Sequence, residues 1–120
     1  MKNEMSYNFI VYSELVYEFN DNEITETDIK IKKKLKYYKK GDYNQQVVNR
    51  LRLLRNDLQK ELSNPLISKY YNKNSQKEFS DPTDYDFQGL LNHYSSNYIE
   101  VSEEDMIGIL NISIYVYYLR

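Results

Sequence analysis

The sequence predicts a mainly α-helical fold: one compact small domain spanning residues 1–120, with a basic helical hairpin at its centre. Three observations carry that expectation. Val47, Leu51, Leu54, Leu58 and Leu62 recur at helical spacing through a run of strong helix formers, Arg-Leu-Leu-Arg-Asn-Asp-Leu-Gln-Lys-Glu-Leu. Phe87, Leu90, Leu91 and Tyr94 repeat at i, i+3, i+4 and i+7 shortly after Asp81-Pro82, a cap followed by a proline suited to a first helical position. Between Thr25 and Gly41 the chain has both a start signal, Thr25-Glu26-Thr27-Asp28, and a stop signal, Lys39-Lys40-Gly41.

The first element, residues 5–19, supports two periodicities. Met5, Phe9, Tyr12, Val16 and Phe19 mark one helical face, whereas Tyr7, Phe9, Val11, Leu15, Tyr17 and Phe19 alternate as in a strand. Asn20-Asp21-Asn22 makes a turn under either reading. The next segment as a helix buries Ile31, Leu35 and Tyr38 and leaves Ile29 among lysines. As a strand it sets Ile29, Ile31, Leu35 and Tyr37 against Lys30, Lys32, Lys34 and Lys36. The alternative fold is therefore α+β, with 7–19 and 24–38 forming an N-terminal β-hairpin.

Asp42, with Gln45 three residues on, is the expected cap of the leucine helix. That helix ends at Ser63-Asn64-Pro65, and Pro65 can begin a short helical piece through Tyr71. Asn72 to Ser80 reads as an exposed polar loop. Ser95-Ser96-Asn97 closes the helix built on Phe87, and Ser102 with Asp105 resembles a capping box. In the last segment Met106, Ile109, Leu110 and Val116 face inward if it is helical, although 109–119 also alternate as a strand would.

Charge is unevenly placed. Eleven of the sixteen Lys and Arg residues fall between Ile29 and Lys60 against Asp42 and Asp57, giving +9, between flanks of −6 for residues 1–28 and −5 for 61–120. Fourteen tyrosines stand beside four phenylalanines and no tryptophan; an AT-rich coding bias is the bland reading of that, and tyrosine also suits half-buried and partner-facing surfaces.

Several chemistries lose their footing here. Without cysteine there are no disulfides, no Cys-ligated zinc, no iron–sulfur cluster and no thiol nucleophile. One histidine, His93, selects no triad and no zinc site. Asp81, Asp84 and Asp86 lack the glycine and closing glutamate of a calcium loop, and they and Glu103-Glu104-Asp105 read as first-turn acids. Gly41, Gly89 and Gly108 are too scattered to build a phosphate cradle. The expectation is no enzyme, no catalytic residues, no metal and no cofactor. Met1-Lys2-Asn3-Glu4-Met5 does not open a signal peptide, and Met106 to Leu119 is too short and polar to span a bilayer; a cytoplasmic protein without membrane association is expected.

The basic middle is the remaining candidate for function. Lys30, Lys32, Lys33, Lys36, Tyr37, Lys39, Lys40 and Tyr43 form the expected partner-binding set: a basic stripe with aromatic anchors suited to an acidic protein surface. The same lysines and tyrosines can track a phosphate backbone and stack on bases, so a small nucleic-acid-binding regulator is the competing reading. A solvated face balanced by the acidic flanks is the plainest alternative.

In length and texture the chain resembles small early proteins of phages that infect low-GC Gram-positive hosts. Among these it is similar to the phage inhibitors of defence-associated sirtuins, the NAD-depleting effectors of abortive infection, and equally to anti-CRISPR proteins. The resemblance rests on no alignable motif and carries over no residues. It implies stoichiometric binding to a large host defence protein in the host cytoplasm and no activity of the chain's own.

Overall fold

The computed structural model of the chain describes residues 5–72 and 80–119. Five α-helices, short 3-10 turns and a closing π-helical turn supply the regular structure of these residues, with no strand among them apart from a lone bridge between Tyr71 and Tyr85. The mainly α expectation holds, and the β-hairpin alternative is set aside. The chain divides into two compact units, Met1–Arg55 and Asn56–Arg120. The first holds eleven basic against eight acidic residues and the second five against ten, so their net charges are +3 and −5.

In the first unit, α1 runs Tyr7–Leu15 and starts where the Ser6 hydroxyl accepts the Phe9 N–H at 3.1 Å. The helix is shorter than either reading of 5–19 allowed. Ile10, Val11, Tyr12, Leu15 and Val16 are all fully buried, while Phe19, placed on the expected face, is half exposed beyond the helix end. Burial on several sides of a short helix explains why one apolar stripe was hard to find.

The turn at Asn20 is a 3-10 helix, Asp21–Glu23, in which the Glu23 carboxylate accepts the Phe19 and Asn20 N–H groups. It leads directly into α2, Ile24–Tyr37, which packs on α1 and buries Thr27, Ile31 and Leu35. Tyr38, expected inside, lies beyond the helix and is 39% exposed.

The stop of α2 also differs from expectation. Lys39, rather than Gly41, takes the left-handed position that closes the helix, at φ 57°. The Lys40 N–H reaches the Leu35 carbonyl at 2.9 Å and the Lys39 N–H the Lys36 carbonyl at 3.1 Å, the paired bonds of a Schellman close. Gly41 follows at φ 106°, a conformation only glycine adopts without strain. A side chain at the left-handed position costs about 1 kcal/mol relative to glycine. Lys39→Gly should therefore raise the unfolding midpoint in urea; an unchanged or lower midpoint would refute this account of the α2 terminus.

α3 spans Gln45–Ser63, and the boundary between the two units falls within it. Its cap is Asn44, not Asp42: the Asn44 carboxamide oxygen accepts the Gln46 and Val47 N–H groups at 3.0 and 3.2 Å. Its buried face is offset by one residue from the expected start, with Val48 fully buried and Val47 only partly so. Asn64 donates back to the Lys60 carbonyl at 3.3 Å, and Pro65 then prevents continuation. The piece that follows is one 3-10 turn, Pro65–Ile67, rather than a helix to Tyr71.

In the second unit, Asp81 caps a 3-10 turn at Pro82–Asp84, and Asp86 caps α4, Phe87–Asn97, accepting the Gly89 N–H at 3.1 Å. Ser95 and Ser96 lie inside this helix, which continues through the residues expected to break it. α5, Glu103–Ile114, begins at Ser102, whose hydroxyl accepts the Asp105 N–H at 3.1 Å. Three acids in its first turn complement the helix dipole. Met106, Ile109, Leu110 and Val116 are buried as expected, and α4 packs against α5. The chain then widens into a π-helical turn, Tyr115–Leu119, so the strand reading of 109–119 falls. Of the loop expected over Asn72 to Ser80, positions 73–79 lie outside the described residues.

Candidate partner-binding face

The basic middle divides into an inward and an outward part. Arg52 and Arg55 point at Glu18, whose side chain is 2% exposed. Arg52 grips that carboxylate with two bonds of 2.8 Å and reaches Asp28 at 3.3 Å. Arg55 donates to the Glu18 backbone carbonyl and lies 3.5 Å from its carboxylate. Burial by itself would raise the Glu18 carboxyl, but hydrogen bonds from Arg52 and Thr27 and the two guanidinium charges outweigh it and hold it below the usual range. Lys34 is likewise turned inward, 2.9 Å from Glu14 and 3.0 Å from the Ser13 hydroxyl. Three cations of the basic middle are thus paired with Glu14, Glu18 and Asp28 of the acidic N-terminal flank.

The outward part is the exposed face of α2. Lys30, Lys32, Lys33, Lys36 and Tyr37 are exposed, with Tyr37 at 78%. Lys30 lies 3.5 Å from Glu26, one turn earlier and also open to water, a contact worth little. Lys33, Lys36 and Lys39 make no ion pair among the described residues. Two members of the expected set are brought together: the Lys32 ammonium sits 4.9 Å from the centre of the Tyr43 ring. Burial and the nearby Asp28 carboxylate push the Tyr43 phenol up. Tyr37 meets Tyr38 edge to face at 4.9 Å. Lys40 is half-buried beyond the helix end, off the main face.

The helix reading leaves Ile29 among the lysines, where the structure exposes it, and what sequence reasoning misses are the role of that exposure and the Glu18–Arg52–Arg55 group. A signal existed for the second. Arg55 falls on the buried row Val48, Leu51, Leu58 and Leu62, and a charge on that row demands a partner.

Other chemistry-bearing groups have structural employment. Asp84 is 3% exposed and accepts the Tyr118 hydroxyl at 2.6 Å and the Asp81 N–H at 3.1 Å. Glu61 accepts from Tyr94 at 3.0 Å and from the Ser68 hydroxyl, and Asp57 accepts from Tyr98 at 2.5 Å. Phenol hydroxyls thereby serve three acids of the second unit. His93 is exposed on α4, its ring 4.8 Å from Tyr94. Among the described residues no three His, Cys, Asp or Glu side chains are grouped to hold a metal ion, and no helix is long and apolar enough to cross a membrane. The hollow lined by Asn56, Gln59, Lys60, Ser63 and Asn64 is open and polar, unlike the enclosed apolar clefts that take small molecules.

Comparison with protein-family models, with curated proteins and with solved structures returns no match.

Proposed function

We propose that this protein is a non-catalytic binding protein that offers the exposed face of α2 to an acidic surface of a protein partner. The observation behind this reading is the segregation just described. Basic residues that balance internal acids are turned inward, while Lys32, Lys33 and Lys36 are exposed beside an exposed tyrosine on one helix. Positive charge concentrated on one face speeds encounter with an acidic partner and orients it, and exposed aromatic area supplies the short-range contact. Following the resemblance in length and texture, the partner proposed is a bacterial antiphage defence effector of the sirtuin-like NAD-depleting kind, met in the host cytoplasm and blocked by occupancy rather than chemistry.

The test is capture with the tagged chain from a Gram-positive host, after nuclease treatment, compared with the Lys32→Glu, Lys33→Glu, Lys36→Glu variant. At roughly 1 kcal/mol per reversed charge, the variant should bind the captured partner about a hundredfold more weakly while keeping its helix content. Unchanged affinity would remove the α2 face from the interface. Capture that vanishes with nuclease would make nucleic acid the ligand.

A further inference from the structure

The α2 face is not uniformly basic. Ile29, Lys33 and Tyr37 stand at i, i+4 and i+8, one continuous ridge of the helix, and both apolar members are open to water, Ile29 at 48% and Tyr37 at 78%. Lys32 and Lys36 line one side of this ridge and Lys30 the other. At 1.5 Å per residue the ridge is about 12 Å long, a little over two helical turns.

Building on the binding role proposed above, we infer that this ridge recognises an acidic amphipathic helix of the partner, whose apolar stripe covers Ile29 and Tyr37 while its carboxylates meet the lysines. A partner helix presents apolar anchors at i, i+3, i+4 and i+7, which repeat over the same distance as Ile29 and Tyr37. The lysine stems add apolar area beside the anchors while their ammonium groups stay at the rim. Charge complementarity fixes the sign of the partner: four exposed ammonium groups, those of Lys30, Lys32, Lys33 and Lys36, lie within two turns, and among the described residues Glu26 is the carboxylate that pairs with one of them, Lys30. A phosphodiester backbone would meet the ammonium groups equally well, but it has no apolar stripe to cover Ile29.

Two synthetic helical peptides of equal length and charge test this, both rich in Glu, one carrying a stripe of Leu and the other Ala at those positions. Fluorescence anisotropy should show the wild-type chain binding the Leu peptide at least tenfold more tightly than the Ala peptide. The Ile29→Ser, Tyr37→Ser variant should lose that preference and keep its affinity for the Ala peptide. Both side chains are exposed, so circular dichroism of this variant should match wild type. Equal wild-type affinities, or a Leu preference that survives in the variant, would overturn the apolar ridge and leave the basic face standing. Failure to bind either peptide, with retention of a DNA duplex, would overturn the ridge and the protein-binding reading together.

Discussion

Replacing Glu18 by Gln should lower the unfolding free energy by about 3–5 kcal/mol, the cost of breaking a buried ion pair from one side. The expectation follows from geometry. Glu18 is 2% exposed, and its carboxylate lies within ion-pairing distance of both Arg52 and Arg55. Gln cannot supply the two charge-assisted acceptors that Arg52 uses, and it leaves two guanidinium groups partly desolvated. Urea denaturation reads the loss, and a change below about 1 kcal/mol would show that water reaches the group. Removing charge from both sides, as Glu18→Leu with Arg52→Met, should recover much of the deficit, because matched apolar replacements avoid the stranded charge.

The same carboxylate sets an acid limit. Its folded-state pKa is depressed, so the stability it contributes is present above the ordinary value of 4.5 and is lost as pH falls through the lower, folded value. Wild type should lose stability steeply below pH 4.5, and Glu18→Gln should flatten that part of the profile. Equal slopes for the two proteins would contradict the assignment.

Asp84→Ala should be the most damaging change among the polar groups of the second unit, costing about 2–3 kcal/mol. It strips the acceptor from the Tyr118 hydroxyl and from the Asp81 N–H at one stroke, in a site 3% exposed. Asp84→Asn, which keeps an acceptor oxygen, should cost less, and equal losses for both would point to charge rather than hydrogen bonding.

The tyrosines of this unit add an alkaline limit. Burial first, and then the neighbouring carboxylates Glu61 and Asp84, push the Tyr85, Tyr94 and Tyr118 phenols up from 10.0. A raised folded-state pKa means stability that is complete below pH 10.0 and declines as pH rises beyond it. Tyrosinate absorbance should therefore show a late class of phenols that ionises together with loss of helix; smooth titration of all tyrosines before unfolding would refute this.

How much of this was legible in the sequence varies by element. α3 was plain because leucine spacing and helix propensity agree over nineteen residues. α1 was obscure because Tyr7, Phe9, Val11 and Leu15 satisfy period 2 while its buried residues wrap most of the way around a nine-residue helix. Lys39 in the left-handed position was invisible beside Gly41, which carries the usual signal. The Glu18 partnership spans 34 residues to Arg52 and 37 to Arg55, and nothing local marks Glu18 out from the other acids of the flank. The lysine face was legible as charge. Its apolar ridge was not recognised as a feature, since an isoleucine among lysines reads as a misfit until both neighbours along its row are seen to face water.

The division of the basic middle into an inward and an outward part makes ionic strength a selective handle on this molecule. At molar salt the Debye length is about 3 Å, so exposed ammonium groups lose their reach, while a carboxylate already sealed between two guanidinium groups has little solvent left to screen it. If the α2 face binds an acidic partner as proposed, salt should weaken the charged part of that contact while leaving the first unit folded.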